Sequence, residues 1–211
     1  MDITARMNDH ALTARAAAAA GIVVLKNTEN ALPLVPQQPG QPLPIAVFGA
    51  CQLATPAFAQ RYTPWRAIGV LDGLSASELV RPDALLARKY RTWALEHGSQ
   101  SEMPLGSLNF SALRQDCAAA VIVLGRTPER YDPHLTAEET QLLQKITAEF
   151  DRTVLVLAAP GYMELNEAAL GCGAIVFLGL AGQEAGGALA DVLTARVMPS
   201  GHLAHSWPET L

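Results

Sequence analysis

Four short apolar runs, Ile45 to Phe48, Val121 to Leu124, Val154 to Ala158 and Ala174 to Leu178, constrain this chain more than any other feature, because each is continuous rather than alternating. A strand with one face in water alternates apolar and polar residues, whereas a strand covered on both faces is apolar throughout, as in parallel sheets flanked by helices. Helical segments separate the runs. Thr136 to Phe150 opens with Thr136 and Glu139 in capping-box spacing and sets Leu142, Leu143 and Ile146 on one face. Thr4 to Ala20 is Ala-rich and favours helix until Gly21, ahead of the β-branched Ile22, Val23 and Val24. The expected fold class is therefore α/β, a doubly wound and mostly parallel sheet with helices on both faces, whose chemistry sits on loops at the carboxyl ends of strands. Val35 to Pro44, VPQQPGQPLP, is too rich in Pro for a helix or a central strand and reads as an exposed connector.

With 211 residues, 50% of them hydrophobic and 17% charged, the chain can bury a sizeable core, and residues 1–211 are expected to form a single domain. A formal charge of -5 with scattered Lys and Arg lacks the basic footprint of a nucleic-acid binder. No apolar run approaches the ~20 residues of a membrane span, so neither nucleic acid nor membrane is an expected partner. The opening MDITARMNDH has no basic stretch followed by an apolar core, which leads us to expect a cytoplasmic location. Cys51, Cys117 and Cys172 are odd in number, far apart and set beside Ala or Gly, which fits small buried thiols better than a disulfide or metal set.

Other chemistries are poorly supported. His202 and His205 have H-x-x-H spacing without further Cys or His to complete a zinc set. The chain has no G-x-S-x-G, no phosphate-binding G-x-x-x-x-G-K-[ST], and ends its first clear strand in Gly49-Ala50-Cys51 rather than in a dinucleotide-binding glycine run. No cofactor is indicated and no metal is expected.

Four phrases in fixed order remain: GIVVLKNTENALPL, IAVFG, VIVLGRTPERYD and LAGQEAGGALADVLTARVMPSGHLAHSWP. Together they resemble the C-terminal α/β sandwich domain, of (α/β)6 type, of glycoside hydrolase family 3, over nearly the whole chain. In that family the sandwich is half of a β-glucosidase-like enzyme, and the nucleophilic Asp stands on a separate barrel domain that this chain lacks. The resemblance implies an O-glycosyl hydrolase acting on β-linked oligosaccharides or glycosides by a retaining mechanism, with the barrel domain as partner and little activity in the sandwich alone. Met1 close to the sandwich start and the abrupt end after SWPETL suggest a piece of a longer polypeptide with the barrel following.

The segment GRTPERYD resembles the family's Gly-Arg, short spacer, Gly-Glu-x-x-Asp pattern, and by that match Glu129 is the general acid/base and Asp132 its companion, ordering the loop or meeting a sugar hydroxyl. Three departures bear on this. The spacer between Arg126 and Glu129 is one residue short, Pro128 replaces the Gly, and the loop after Asp132 is reduced to Pro133 and His134. Arg130 would also favour the ionised carboxylate at Glu129. Glu129 is thus either the acid/base or a solvated loop residue. In place of the family's Gly- and Ser-rich turn stands GACQLATPAFAQRYTPWRAIGVLDGL, where Tyr62 and Trp65 could stack on a sugar, or Trp65 could be core. Gly182-Gln183-Glu184 with Gly186-Gly187 resembles the family's turn into a helix, with the glycines expected to allow helix-to-sheet packing, and Pro199-Ser200-Gly201 with Trp207-Pro208 resembles its closing segment. The alternative to an enzyme domain is a stand-alone, non-catalytic module that binds carbohydrate or protein, and a weaker third reading is an unrelated doubly wound sensor of small molecules.

Overall fold

The computed structural model describes residues 3–53, 67–98 and 101–207. In chain order it contains α1 (Ile3–Gly21), β1 (Val23–Asn27), β2 (Leu43–Phe48), α2 (Val70–Ser75), β3 (Val80–Pro82), α3 (Ala84–His97), α4 (Phe110–Asp116), β4 (Ala119–Gly125), α5 (Ala137–Glu149), β5 (Thr153–Ala158), α6 (Glu167–Leu170), β6 (Ala174–Phe177) and α7 (Ala185–Leu193). The strands form one six-stranded sheet in the order β1-β6-β5-β4-β2-β3. Every neighbouring pair is parallel except β1 with β6.

All four continuous apolar runs are strands, and their side chains divide by parity. Val154, Val156 and Ala158 of β5 enter one core with α1, α2 and α7, whereas Leu155 and Leu157 enter the other with α3, α4, α5 and α6. This is the doubly wound sandwich expected from the unbroken hydrophobicity of the strands. The capping box at α5 is formed in both directions, Thr136 Oγ1 accepting from Glu139 N and Glu139 Oε2 from Thr136 N. Cys51, Cys117 and Cys172 are buried free thiols. Among the described residues no helix is long and apolar enough to cross a membrane.

Two expectations are corrected. Pro44 belongs to β2, a central strand flanked by β3 and β4, rather than to an exposed connector. It lies at the second position of the strand, where a missing N–H interrupts little of the ladder, and its carbonyl still accepts from Ala118 N at 2.9 Å. The glycines at the start of α7 pack helix to helix rather than helix to sheet. A Cβ on Gly186 would lie 1.8 Å from the Gly69 carbonyl oxygen, and one on Gly73 would lie 2.1 Å from the backbone of Gly186. The two helix starts are stitched by Ile68 N to Gln183 O at 2.7 Å and Gly186 N to Ile68 O at 2.9 Å. The short edge strand β3 carries too few apolar residues to announce itself in sequence, whereas the β-branched Val23 and Val24 noted there open the antiparallel strand β1.

Candidate functional site at the strand switch point

Between β2 and β4 the direction of winding reverses. The chain leaves β2 through α2 on one face toward β3, and leaves β4 through α5 on the other face toward β5. Loops after two adjacent parallel strands then diverge and leave a crevice at their carboxyl ends, the usual ligand position in such sheets. A cleft of about 480 Å³ lies there, lined by Ala50 and Cys51 after β2, by Gly125 at the end of β4 with Arg126, Thr127 and Arg130 after it, and by Ser101, Glu102, Thr136, Glu138 and Glu139.

The β2 side is held from behind. Gly49 has φ 91°, a conformation that costs glycine little, and any Cβ would lie 2.1 Å from the Val123 carbonyl oxygen. Its N–H donates to the hydroxyl of fully buried Tyr90 at 3.0 Å, and that hydroxyl donates to Glu102 Oε1 at 2.8 Å. Glu102 also accepts from Ala50 N at 2.9 Å and Met103 N at 3.1 Å. Burial pushes the Glu102 carboxyl above the ordinary carboxylate range, even though these donors, which favour the ionised form, pull the other way. Burial, then the charge of Glu102, also lifts Tyr90 well above the usual phenol value. The Cys51 thiol is pushed up to about 12, first by burial and then by the charges of Glu139 and Glu102, so it is no nucleophile at neutral pH.

The β4 side carries the loop singled out in the sequence. Pro128–Arg130 forms one turn of 3-10 helix, with Arg130 N donating to Thr127 O at 3.1 Å. Glu129 sits in that turn, exposed, and among the described residues its carboxylate has no hydrogen-bond or ion-pair partner. Asp132 orders the loop, its Oδ1 accepting from His134 N at 2.9 Å. Both carboxylates stand outside the cleft lining, whereas Arg130 between them is within it. Trp65 and Tyr62 lie outside the described residues. The loop is also pinned to the one after β5: Glu164 N donates to Pro133 O at 2.8 Å, Tyr131 Oη to Tyr162 O, and His134 Nδ1 meets Glu164 Oε2 at 2.5 Å. That contact raises the His134 pKa above the usual imidazole range.

Sequence reading missed Glu102, which no motif surrounds, and saw Glu139 only as half of a capping box. Their meeting at one cleft depends on a crossover through β3, α3 and α4 that no local pattern encodes. Among the described residues no three His, Cys, Asp or Glu side chains gather as a metal set. His202 and His205 are exposed.

A family model described as Glycosyl hydrolase family 3 C-terminal domain matches residues 22–211. The chain is 29% identical over 221 residues to beta-glucosidase cel3A of Pyricularia oryzae, covering 94% of this chain and 29% of that protein. It is 28% identical to thermostable beta-glucosidase B of Acetivibrio thermocellus, covering 96% of this chain and 27% of that protein. Among solved structures, beta-glucosidase 3B from Thermotoga neapolitana in complex with glucose superposes with TM-score 0.83 at 27% identity, over 97% of this chain and 32% of that one. A beta-glucosidase from Paenibacillus barengoltzii superposes with TM-score 0.77 at 26% identity, over 90% of this chain and 23% of that one. The chain thus spans less than a third of the length of these relatives.

Proposed function

The chain belongs to the glycosyl hydrolase family 3 C-terminal domain family, and we propose that it supplies the general acid/base loop of a retaining β-glucosidase-like enzyme whose nucleophilic Asp comes from a barrel domain. The observation that carries this reading is the position of Glu129. It rides the loop after β4 beside the switch-point cleft, exposed and unpaired among the described residues. A barrel docked over this end would strip water from that carboxyl and favour its protonated form. Glu129 would then donate its proton to the glycosidic oxygen as the bond from C1 to that oxygen breaks and the barrel Asp forms a glycosyl ester. In the second step Glu129 takes a proton from water as the water oxygen attacks C1 and frees the Asp, with the two carboxyl groups about 5–5.5 Å apart. Asp132 shapes the loop, and the substrate is a β-linked glucoside or related oligosaccharide.

A second reading, a non-catalytic module that binds carbohydrate or protein, is favoured by the absence of Glu129 from the cleft lining and by the short spacer ending in Pro128. Hydrolysis of a chromogenic β-glucoside separates the two. The complete gene product, its Glu129→Ala variant and residues 1–211 alone are assayed side by side. An active complete protein, an inert fragment, and a loss in Glu129→Ala that azide partly restores are the outcomes expected of the acid/base. Undiminished turnover by Glu129→Ala would place the acid elsewhere and make Glu129 a loop residue, and no turnover at all by the complete product would transfer the argument to the module.

A further inference from the structure

We propose that Arg126 is the positioning residue of the Glu129 loop, acting with Glu139 as an internal clamp that fixes where the acid/base carboxyl stands; this rests on the reading of Glu129 given above. The guanidinium uses all five of its N–H groups within the protein. Nε donates to Asp132 O at 2.9 Å, Nη1 to Gly125 O at 2.9 Å and Glu139 Oε1 at 2.7 Å, and Nη2 to His134 O at 2.8 Å and Glu139 Oε2 at 2.7 Å. The carbonyls it binds belong to the first and the returning residues of the turn, so the loop closes around the side chain, with Glu129 on the crest between its anchors.

Glu139 extends the clamp to α5, because its Oε2 also accepts from Thr136 N at 2.9 Å. One ion pair therefore joins the end of β4, the returning limb of the loop and the first turn of the next helix. The two side chains are only 10% and 12% exposed, so water screens their attraction weakly and the bidentate geometry adds direction to it. The hydrogen bonds to Glu139 hold the Arg126 pKa above its usual value. With every N–H directed into the protein, Arg126 lines the cleft without a donor left for a ligand, which makes it a positioning residue rather than a catalytic one. Lysine cannot replace it, since a single ammonium cannot reach three carbonyls and both oxygens of a carboxylate.

Displacement of a reacting group by about 1 Å costs about 100-fold in rate. In the complete gene product acting on a chromogenic β-glucoside, Arg126→Ala and Arg126→Lys are therefore expected to lower kcat by about 100-fold while KM changes little. Guanidinium ion, at concentrations far below denaturing ones, should restore part of the kcat of Arg126→Ala and not that of Arg126→Lys, whose ammonium still occupies the site. Amide hydrogen exchange across residues 126–134 should quicken in Arg126→Ala and slow again with guanidinium. A merely structural arginine would give neither the kcat-specific loss nor the selective rescue. If Glu129→Gln abolishes turnover while Arg126→Ala keeps wild-type kcat and exchange, the positioning inference is overturned and the acid/base reading stands. If Glu129→Gln is harmless, the acid/base reading fails and the inference fails with it.

Discussion

On one side of the sheet α1, α2 and α7 lie over a floor of Val47, Val121, Val123, Val154, Val156 and Val176, with Ala18, Ala19, Ala185 and Ala188 in the core and Gly73 of α2 set against Gly186 of α7. On the other side α3, α4 and α5 bring Tyr90, Phe110, Leu142, Leu143 and Ile146 onto Phe48, Ile122, Leu124, Leu155 and Leu157. Phe48 stacks on Phe110 with centroids 5.9 Å apart and meets Phe150 edge-on at 6.0 Å. The first face also buries large side chains, Ile22, Leu34, Ile45, Leu71 and Leu74 among them, but where α2 meets α7 the backbones touch and leave no room for an added atom. The second is built from large side chains and is harmed chiefly by removing them. The same hydrophobic effect supports both, but only the first adds glycine positions, Gly73 and Gly186, that cannot gain a side chain.

The largest effect is expected from Phe48→Ala, which empties the centre of the second face and should lower the unfolding free energy by about 3–5 kcal/mol in urea titrations. A loss under about 1 kcal/mol would mean that this face can collapse into the space and is not packed as described. Gly186→Ala comes next. Its added carbon would meet the Gly69 carbonyl at 1.8 Å, and backbone cannot rotate away, so a destabilisation of about 3 kcal/mol is expected despite the better helix propensity of alanine. Unchanged or increased stability would dissolve the contrast between the faces. The smallest effect concerns pH and belongs to the second face, where Tyr90 holds Glu102. Because burial raises the Glu102 pKa, the folded chain binds more protons than the unfolded one just above the ordinary carboxylate range. Its contribution to stability is therefore complete below the unfolded pKa and declines as pH rises through the folded value. Glu102→Gln should flatten that decline in thermal unfolding followed from about pH 4 to about pH 7, and parallel wild-type and variant curves would remove Glu102 from the account.

The legible parts were those in which a residue's own neighbours decide its state. The unbroken runs at β2, β4, β5 and β6 reveal burial on two faces, and Thr136 with Glu139 marks the start of α5, because strand period and capping act within a few residues. Pro44 was misjudged since its fitness depends on which N–H groups its neighbours need, a matter of register. Of the candidate site, the loop was legible by its pattern, and Glu129 and Asp132 do lie at a strand end as such a loop should. Arg126 stood in the same pattern without an assigned role, and Glu102 went unnoticed. Glu102 acquires its partners from distant segments, Ala50 after β2 and Tyr90 of α3, whereas Arg126 finds its own within thirteen residues but only once the loop has folded back onto it.

By itself the amino-acid sequence determined the number and character of the buried strands, the helix that follows β4 and the family that the chain belongs to, since hydrophobic period, capping and motif spacing are written along the chain. Only the tertiary structure decided that the loops after β2 and β4 open a common cleft, that α2 and α7 touch backbone to backbone through Gly73 and Gly186, and that Arg126 closes the Glu129 loop around itself. Those arrangements depend on the order in which strands enter the sheet and on how close two helices can approach. Both are settled by packing the whole chain at once, because the energies that decide them are shared among residues far apart in sequence.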